Sequence, residues 1–140
     1  IEDSCITMLE TVGDWLKVNG EAVYGSRAWT TLGEGTMEDG KLRKLPGGNL
    51  GKRHAEFAFS PQDIRFTVGR DGSLYAFCMA VPECGQTIRV RSLGRSTQRV
   101  RRVALLGYGG KLKWTQTDEA LEITAPQTLP CQTSVVFRIR

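Results

Sequence analysis

The sequence predicts an all-β fold, an antiparallel β-sandwich of about eight short strands preceded by one N-terminal α-helix. Three observations predict it. In the first twenty positions apolar residues recur every three to four places, the period of a helix. Beyond residue 20 the apolar period falls to two, the period of a strand with one wet face. The short runs that follow are separated by Gly- and Pro-containing turns, as in sandwiches.

The elements follow in order. Met8, Leu9, Val12, Trp15 and Leu16 make one apolar stripe on the helix. Glu2 and Asp3 suit the positive end of its dipole, and Asp3 or Ser4 can serve as N-cap. Gly13 weakens its middle; Lys17 lies in its last turn, and Asn19-Gly20 supplies a left-handed stop. Residues 32–53 hold Gly33, Gly35, Gly40, Gly47, Gly48 and Gly51 and read as loop, with a turn at Pro46-Gly47-Gly48. Strands are then predicted over 54–59, 63–68 and 73–81. The last two flank Gly69-Arg70-Asp71-Gly72, a hairpin signal. Further strands are predicted over 87–92, 99–106, 112–116, 120–125 and 134–139.

Alternation assigns the faces. Ile88, Val90, Leu112, Trp114, Leu121, Ile123, Val135, Phe137 and Ile139 point inward. Arg89, Arg91, Lys111, Lys113, Glu122 and Arg138 point to water. The run 73–81 is apolar on both faces, with Leu74, Ala76 and Cys78 against Tyr75, Phe77 and Met79. It reads as a central strand covered on both sides.

A chain of 140 residues with 40% hydrophobic and 24% charged residues is long and apolar enough for one core. No apolar run approaches the ~18 residues of a membrane span, and residues 1–4 show no basic or apolar region of a signal peptide. The formal net charge is +4. Arg89, Arg91, Arg95, Arg99, Arg101 and Arg102 cluster, but no aromatic stands between Gln86 and Leu106. The cluster therefore reads as a solvated strand face rather than a nucleic-acid site. Of the four cysteines, Cys78 and Cys84 have five residues between them around a Pro-Glu turn, with only His54 as a further soft ligand. This is not a zinc pattern. Cys78 reads as a small hydrophobe, with a disulfide to Cys84 as the alternative, so the redox compartment stays open.

Little here carries chemistry. His54 reads as a strand-edge residue, and no nucleophile motif surrounds any Ser or Cys. The carboxylates fall mostly in turns or on wet faces, whereas glycoside hydrolysis needs two of them flanking one bond. Glu34, between two glycines, is the least ordinary, because a partner's backbone can come close there. Gly33-x-Gly35 precedes no helix, so it is no phosphate loop, and Gly107-Tyr108-Gly109-Gly110 reads as a turn. The weak candidates for sugar contact are Trp29, Glu34 and Tyr108. Trp114 alternates with Lys113 and Thr115 and reads as core.

The stretch from Val12 through Gly13-Asp14-Trp15-Leu16-Lys17-Val18-Asn19-Gly20-Glu21 to Trp29 resembles the end of the catalytic domain in family 29 glycoside hydrolases, the α-L-fucosidases. Gly33-Glu34-Gly35-Thr36 resembles that family's Gly-rich turn. Asp63-Ile64-Arg65-Phe66-Thr67, followed by Gly72-Ser73-Leu74-Tyr75-Ala76, resembles its hairpin. The likeness runs in order through most of residues 6–81; beyond that only strand pattern remains. Ala28 stands where proline is common, and no proline follows Gly35. In the family a (β/α)8 barrel carries an aspartate nucleophile and a separate acid/base carboxylate in a retaining mechanism. No segment here matches those strands, so no catalytic residue carries over.

The resemblance implies a division at residue 26: residues 1–26 as the last barrel helix plus linker, and 27–140 as a non-catalytic C-terminal β-sandwich that stabilises the barrel. It implies no catalytic, cofactor or metal residue in this chain. The main partner would be the barrel itself, and the parent would by family habit be secreted, periplasmic or lysosomal. A carbohydrate-binding module that contacts a fucosylated glycan is the alternative reading. No nucleic-acid or membrane partner is expected. Left without the barrel, the helix stripe should fold on the sandwich or pair with a second copy.

Overall fold

The computed structural model describes residues 2–35, 37–38, 41–42 and 59–140. The predicted Pro46-Gly47-Gly48 turn, His54 and nearly all of the predicted 54–59 strand lie outside these residues. Helix α1 spans Asp3–Asn19. Its N-cap is Glu2, in extended conformation and without a side-chain cap, rather than Asp3 or Ser4. The Glu2 carbonyl accepts from the Cys5 and Ile6 amides at 2.9 and 3.2 Å, so Asp3 is already inside the first turn. The predicted left-handed stop at Gly20 is also absent. Gly20 stays helical, with φ −57°, and the chain runs on into a 3-10 turn over Gly20–Ala22. A Cβ there would lie 2.6 Å from the ring of Tyr24, an exposed side chain that would have to swing aside.

Among the described residues ten strands follow: β1 (Arg27–Glu34), β2 (Met37–Glu38), β3 (Lys41–Leu42), β4 (Ile64–Val68), β5 (Leu74–Cys78), β6 (Thr87–Val90), β7 (Val103–Leu105), β8 (Lys113–Gln116), β9 (Leu121–Thr124) and β10 (Val135–Ile139). Five form an antiparallel sheet in the order β1-β4-β5-β10-β7, and three form a second in the order β6-β9-β8. The pair β2-β3 is a two-residue hairpin. The eight strands of the two larger sheets form the predicted sandwich, and β5 is the middle strand of five, as its two-faced pattern requires.

Residues 32–34, expected as loop, extend β1. Its register on β4 breaks between Ala28 and Gly33, and little of it is buried, which is why no clean alternation marks it. The run 99–106 is strand only over Val103–Leu105. Residues Arg101 and Arg102 still donate their amides to the Arg140 carbonyl, at 2.7 and 3.0 Å. The run 87–92 ends at Val90 in a 3-10 turn over Arg91–Leu93.

One core lies between the sheets. Ile64, Phe66, Val68, Leu74, Ala76, Cys78, Val103, Leu105, Val135, Phe137 and Ile139 meet Ile88, Val90, Leu121 and Ile123 there. The inward residues Leu112, just before β8, and Trp114, within it, are only half-buried. All four cysteines are free; Cys78 is buried and Cys84 exposed, so the disulfide alternative falls away. Burial pushes the Cys78 thiol up to about 12. Among the described residues no helix is long and apolar enough to cross a membrane.

Candidate functional site

The middle of the outer face of the five-stranded sheet is covered. The residues of β5 and β10 that point away from the core, Tyr75 and Val136, join Ala22, Leu106, Trp15 and Phe77 in a second apolar cluster. Helix α1 forms its lid. The Trp15 and Phe77 rings stack at 6.1 Å, and the indole Nε1 donates to the Ser134 carbonyl at 3.0 Å. Asn19 is fully buried and donates Nδ2 to the Trp15 carbonyl and to Cys131 Sγ. Just beyond, the Tyr75 hydroxyl donates to Glu21 at 2.8 Å and Arg138 reaches the same carboxylate oxygen at 3.1 Å. Burial, followed by the adjacent Glu21 carboxylate, pushes the Tyr75 hydroxyl up to about 12. Thr67 Oγ1 donates to the Ala22 carbonyl at 2.7 Å. The C-terminal half of α1 is thus bolted to the sheet.

The other half is not. Ile6, Met8, Leu9 and Val12 are 41, 66, 66 and 50% exposed. The stripe read from the sequence is therefore split along the helix: Trp15 and Leu16 are half-buried, while Met8, Leu9 and Val12 stand in solvent. Four large apolar side chains on two turns form a contiguous unpartnered face, which is the arrangement of an interaction surface.

The three sugar-contact candidates sit on separate parts of the sandwich. Trp29, on edge strand β1, is half-buried and meets Phe66 edge to face at 4.9 Å. Glu34, at the end of β1, accepts from the Arg91 amide at 2.9 Å and from the Ser92 amide and hydroxyl at 3.0 and 2.8 Å. Its neighbour Gly35 does admit a close approach, by this chain's own Gln62 and Asp63, while the Glu34 carboxylate itself is taken up by the Arg91–Leu93 turn. Tyr108 follows β7 and packs on the core with one side. Its other side lines a shallow groove of about 280 Å³ with Lys111, Leu112 and Pro126.

A second groove, of about 500 Å³, was not legible as a site in the sequence. Arg95, Arg99, Val100, Trp114, Thr115 and Gln116 line it. Its signal was Gln116, a polar residue at an inward position two places from Trp114. Neither groove is lined by a carboxylate, and among the described residues no three His, Cys, Asp or Glu side chains gather to hold a metal ion. What the site arrangement offers is an apolar docking face and two carboxylate-free grooves.

Fold and site together define a two-sheet antiparallel β-sandwich domain with one helix laid across its outer face. Residues 59–140 match the family model described as the alpha-L-fucosidase C-terminal domain, and the chain belongs to that family. The match covers the part of the chain where the sequence offered only strand pattern. The chain is similar to tissue alpha-L-fucosidase of Rattus norvegicus, 27% identical over 123 residues, covering 87% of this chain and 21% of the relative. It is 26% identical over 130 residues to the tissue alpha-L-fucosidases of Mus musculus and Homo sapiens. Those alignments cover 92% of this chain and 23% and 22% of the relatives. The chain thus spans between a fifth and a quarter of the length of these relatives.

Proposed function

We propose that this chain is the non-catalytic C-terminal β-sandwich of a longer α-L-fucosidase, a retaining exo-hydrolase that releases α-linked L-fucose from glycans. In this reading residues 1–26 are the last helix of the catalytic barrel with its linker, and residues 27–140 are the sandwich. The domain holds and stabilises the barrel. The observation that carries the reading is the divided helix. Trp15 and Asn19 fasten α1 to the sandwich, while Ile6, Met8, Leu9 and Val12 are left for a neighbour. Burying each such side chain is worth roughly 1.5–3 kcal/mol, so a barrel seated on this face would be held firmly. Membership of the family and the share of the relatives' length left over support the same neighbour.

The test has two arms. The 140-residue chain, incubated with an aryl α-L-fucoside across pH 4–8, is expected to give no turnover; measurable turnover would sink the reading. In the full-length enzyme, Met8→Ser with Leu9→Ser is expected to lower the unfolding temperature of the catalytic domain. An unchanged unfolding temperature would show that the barrel rests elsewhere.

A further inference from the structure

The basic cluster of residues 89–102 lacks an aromatic of its own, but the fold supplies one from another strand. Trp114 on β8 packs one side against the core and with the other lines the groove of about 500 Å³ whose remaining walls include Arg95 and Arg99. The segment carrying these arginines is held in place. The Gln116 side chain accepts from the Val100 amide at 3.0 Å and donates to the Leu93 and Gln98 carbonyls at 2.9 and 2.6 Å. The Arg95 amide donates to the Thr117 carbonyl at 3.0 Å, and Ser96 Oγ to the Asp118 carbonyl at 3.1 Å. Gly94 packs so closely on the 118–119 backbone that a Cβ would collide with it.

The guanidinium groups themselves are unspent. Arg89 leans on Glu119 and Glu122, Arg138 on Glu21 and Arg140 on Asp71. Among the described residues Arg95 and Arg99 have no ion pair, and no carboxylate lines their groove. Two exposed cations beside one half-buried indole would be drawn to an anion with an apolar face. Thr115 also lines the groove, and among the described residues no strand pairs with the edge of β8 away from β9. Its volume lies within the range of small-ligand sites, about 300–1,000 Å³.

From these we infer that the groove between Arg95, Arg99 and Trp114 binds an acidic saccharide, a sugar ring carrying a carboxylate or sulfate. The apolar face of the pyranose lies on the Trp114 indole. The anionic group sits between the two guanidiniums, and ring hydroxyls bond Thr115 and the β8 edge. A nucleic acid fits less well, because strand binding needs aromatics repeated along a groove and here there is one. The inference is independent of where the catalytic barrel docks.

The experiment is calorimetric titration of the 140-residue chain with sialyllactose, with a sulfated heparin disaccharide, with lactose and with decathymidylate, following tryptophan emission in parallel. Saturable binding of at least one acidic probe is expected, weakening as salt rises. Lactose should show none. Arg95→Gln with Arg99→Gln should lower the affinity about tenfold or more, with the unfolding midpoint unchanged because both side chains are exposed. The inference is overturned if neither acidic probe binds or if lactose binds equally well. Unchanged affinity in the double variant would overturn it too, as would decathymidylate binding tighter than both sugars.

Discussion

Gln116→Ala should be among the most damaging single truncations on the three-stranded sheet. Gln116 is 6% exposed, and its amide satisfies three backbone groups of the segment 93–98 and Val100. Two of those groups belong to buried residues, Leu93 and Val100, 0 and 5% exposed. The Gln98 carbonyl, on an exposed residue, can turn to water. Each buried backbone group left without a partner costs about 1–3 kcal/mol. The lost side-chain volume adds a cavity term. Two such groups make about 2–6 kcal/mol before the cavity term, so a loss of about 3 kcal/mol or more is expected against a typical total of roughly 5–15 kcal/mol. Urea unfolding followed by fluorescence measures it directly, and hydrogen exchange at the Val100 amide should accelerate by the same free energy. A loss under about 1 kcal/mol would show that water replaces the amide in this site and would refute the accounting. Gln116→Glu sharpens the test. Its carboxylate faces the Leu93 and Gln98 carbonyls, so it should be least stable when ionised and recover as pH falls.

Three further outcomes are expected. Tyr75 has its pKa raised from 10.0 to about 12, and Cys78 from 9.0 to about 12. For a raised pKa the folded state holds the proton longer than the unfolded state. The stability each neutral group contributes is therefore complete below pH 9–10 and lost as pH climbs towards 12. Urea midpoints should fall over that window. Tyr75→Phe, which also forfeits the Glu21 hydrogen bond, should lower stability by about 1–2 kcal/mol at neutral pH and flatten the alkaline decline. Glu34→Ala leaves the Arg91 and Ser92 amides to solvent and should cost about 1–2 kcal/mol by thermal unfolding, with faster exchange at those two amides; Glu34→Gln should recover part of it.

The strands with one apolar face or two were legible in the sequence, because burial itself writes the alternation. Leu74, Ala76 and Cys78 against Tyr75 and Phe77 marked β5 as central. Ile88 and Val90 marked β6, and Gly72, with φ +82°, closes the hairpin that Gly69-Arg70-Asp71-Gly72 announced. Strand β1 carries no such imprint, because little of it is buried. The outer strand β1 pairs on one side only and breaks register after Ala28, so its Gly33-Glu34 end read as loop. The site was harder for a different reason. Glu34 meets residues more than fifty positions away, and Trp114 reaches arginines from another part of the chain. Local pattern says nothing about such meetings. The aromatic missing from the basic stretch was present all along, on a neighbouring strand.

The place of β10 has a consequence for how the chain is made. Strand β10, made long after β5, lies between β5 and β7, pairing Ile139 with Leu74 and with Val103. It also delivers Val135, Phe137 and Ile139 to one apolar cluster and Val136 to the other. Until it emerges, β5 presents a bare edge and both clusters stay open. The nascent chain therefore passes through a long interval of exposed β-edge, the condition under which strands join the wrong neighbour. Closure of both apolar layers waits on a single segment made well after β5, so the order of synthesis sets the order of folding.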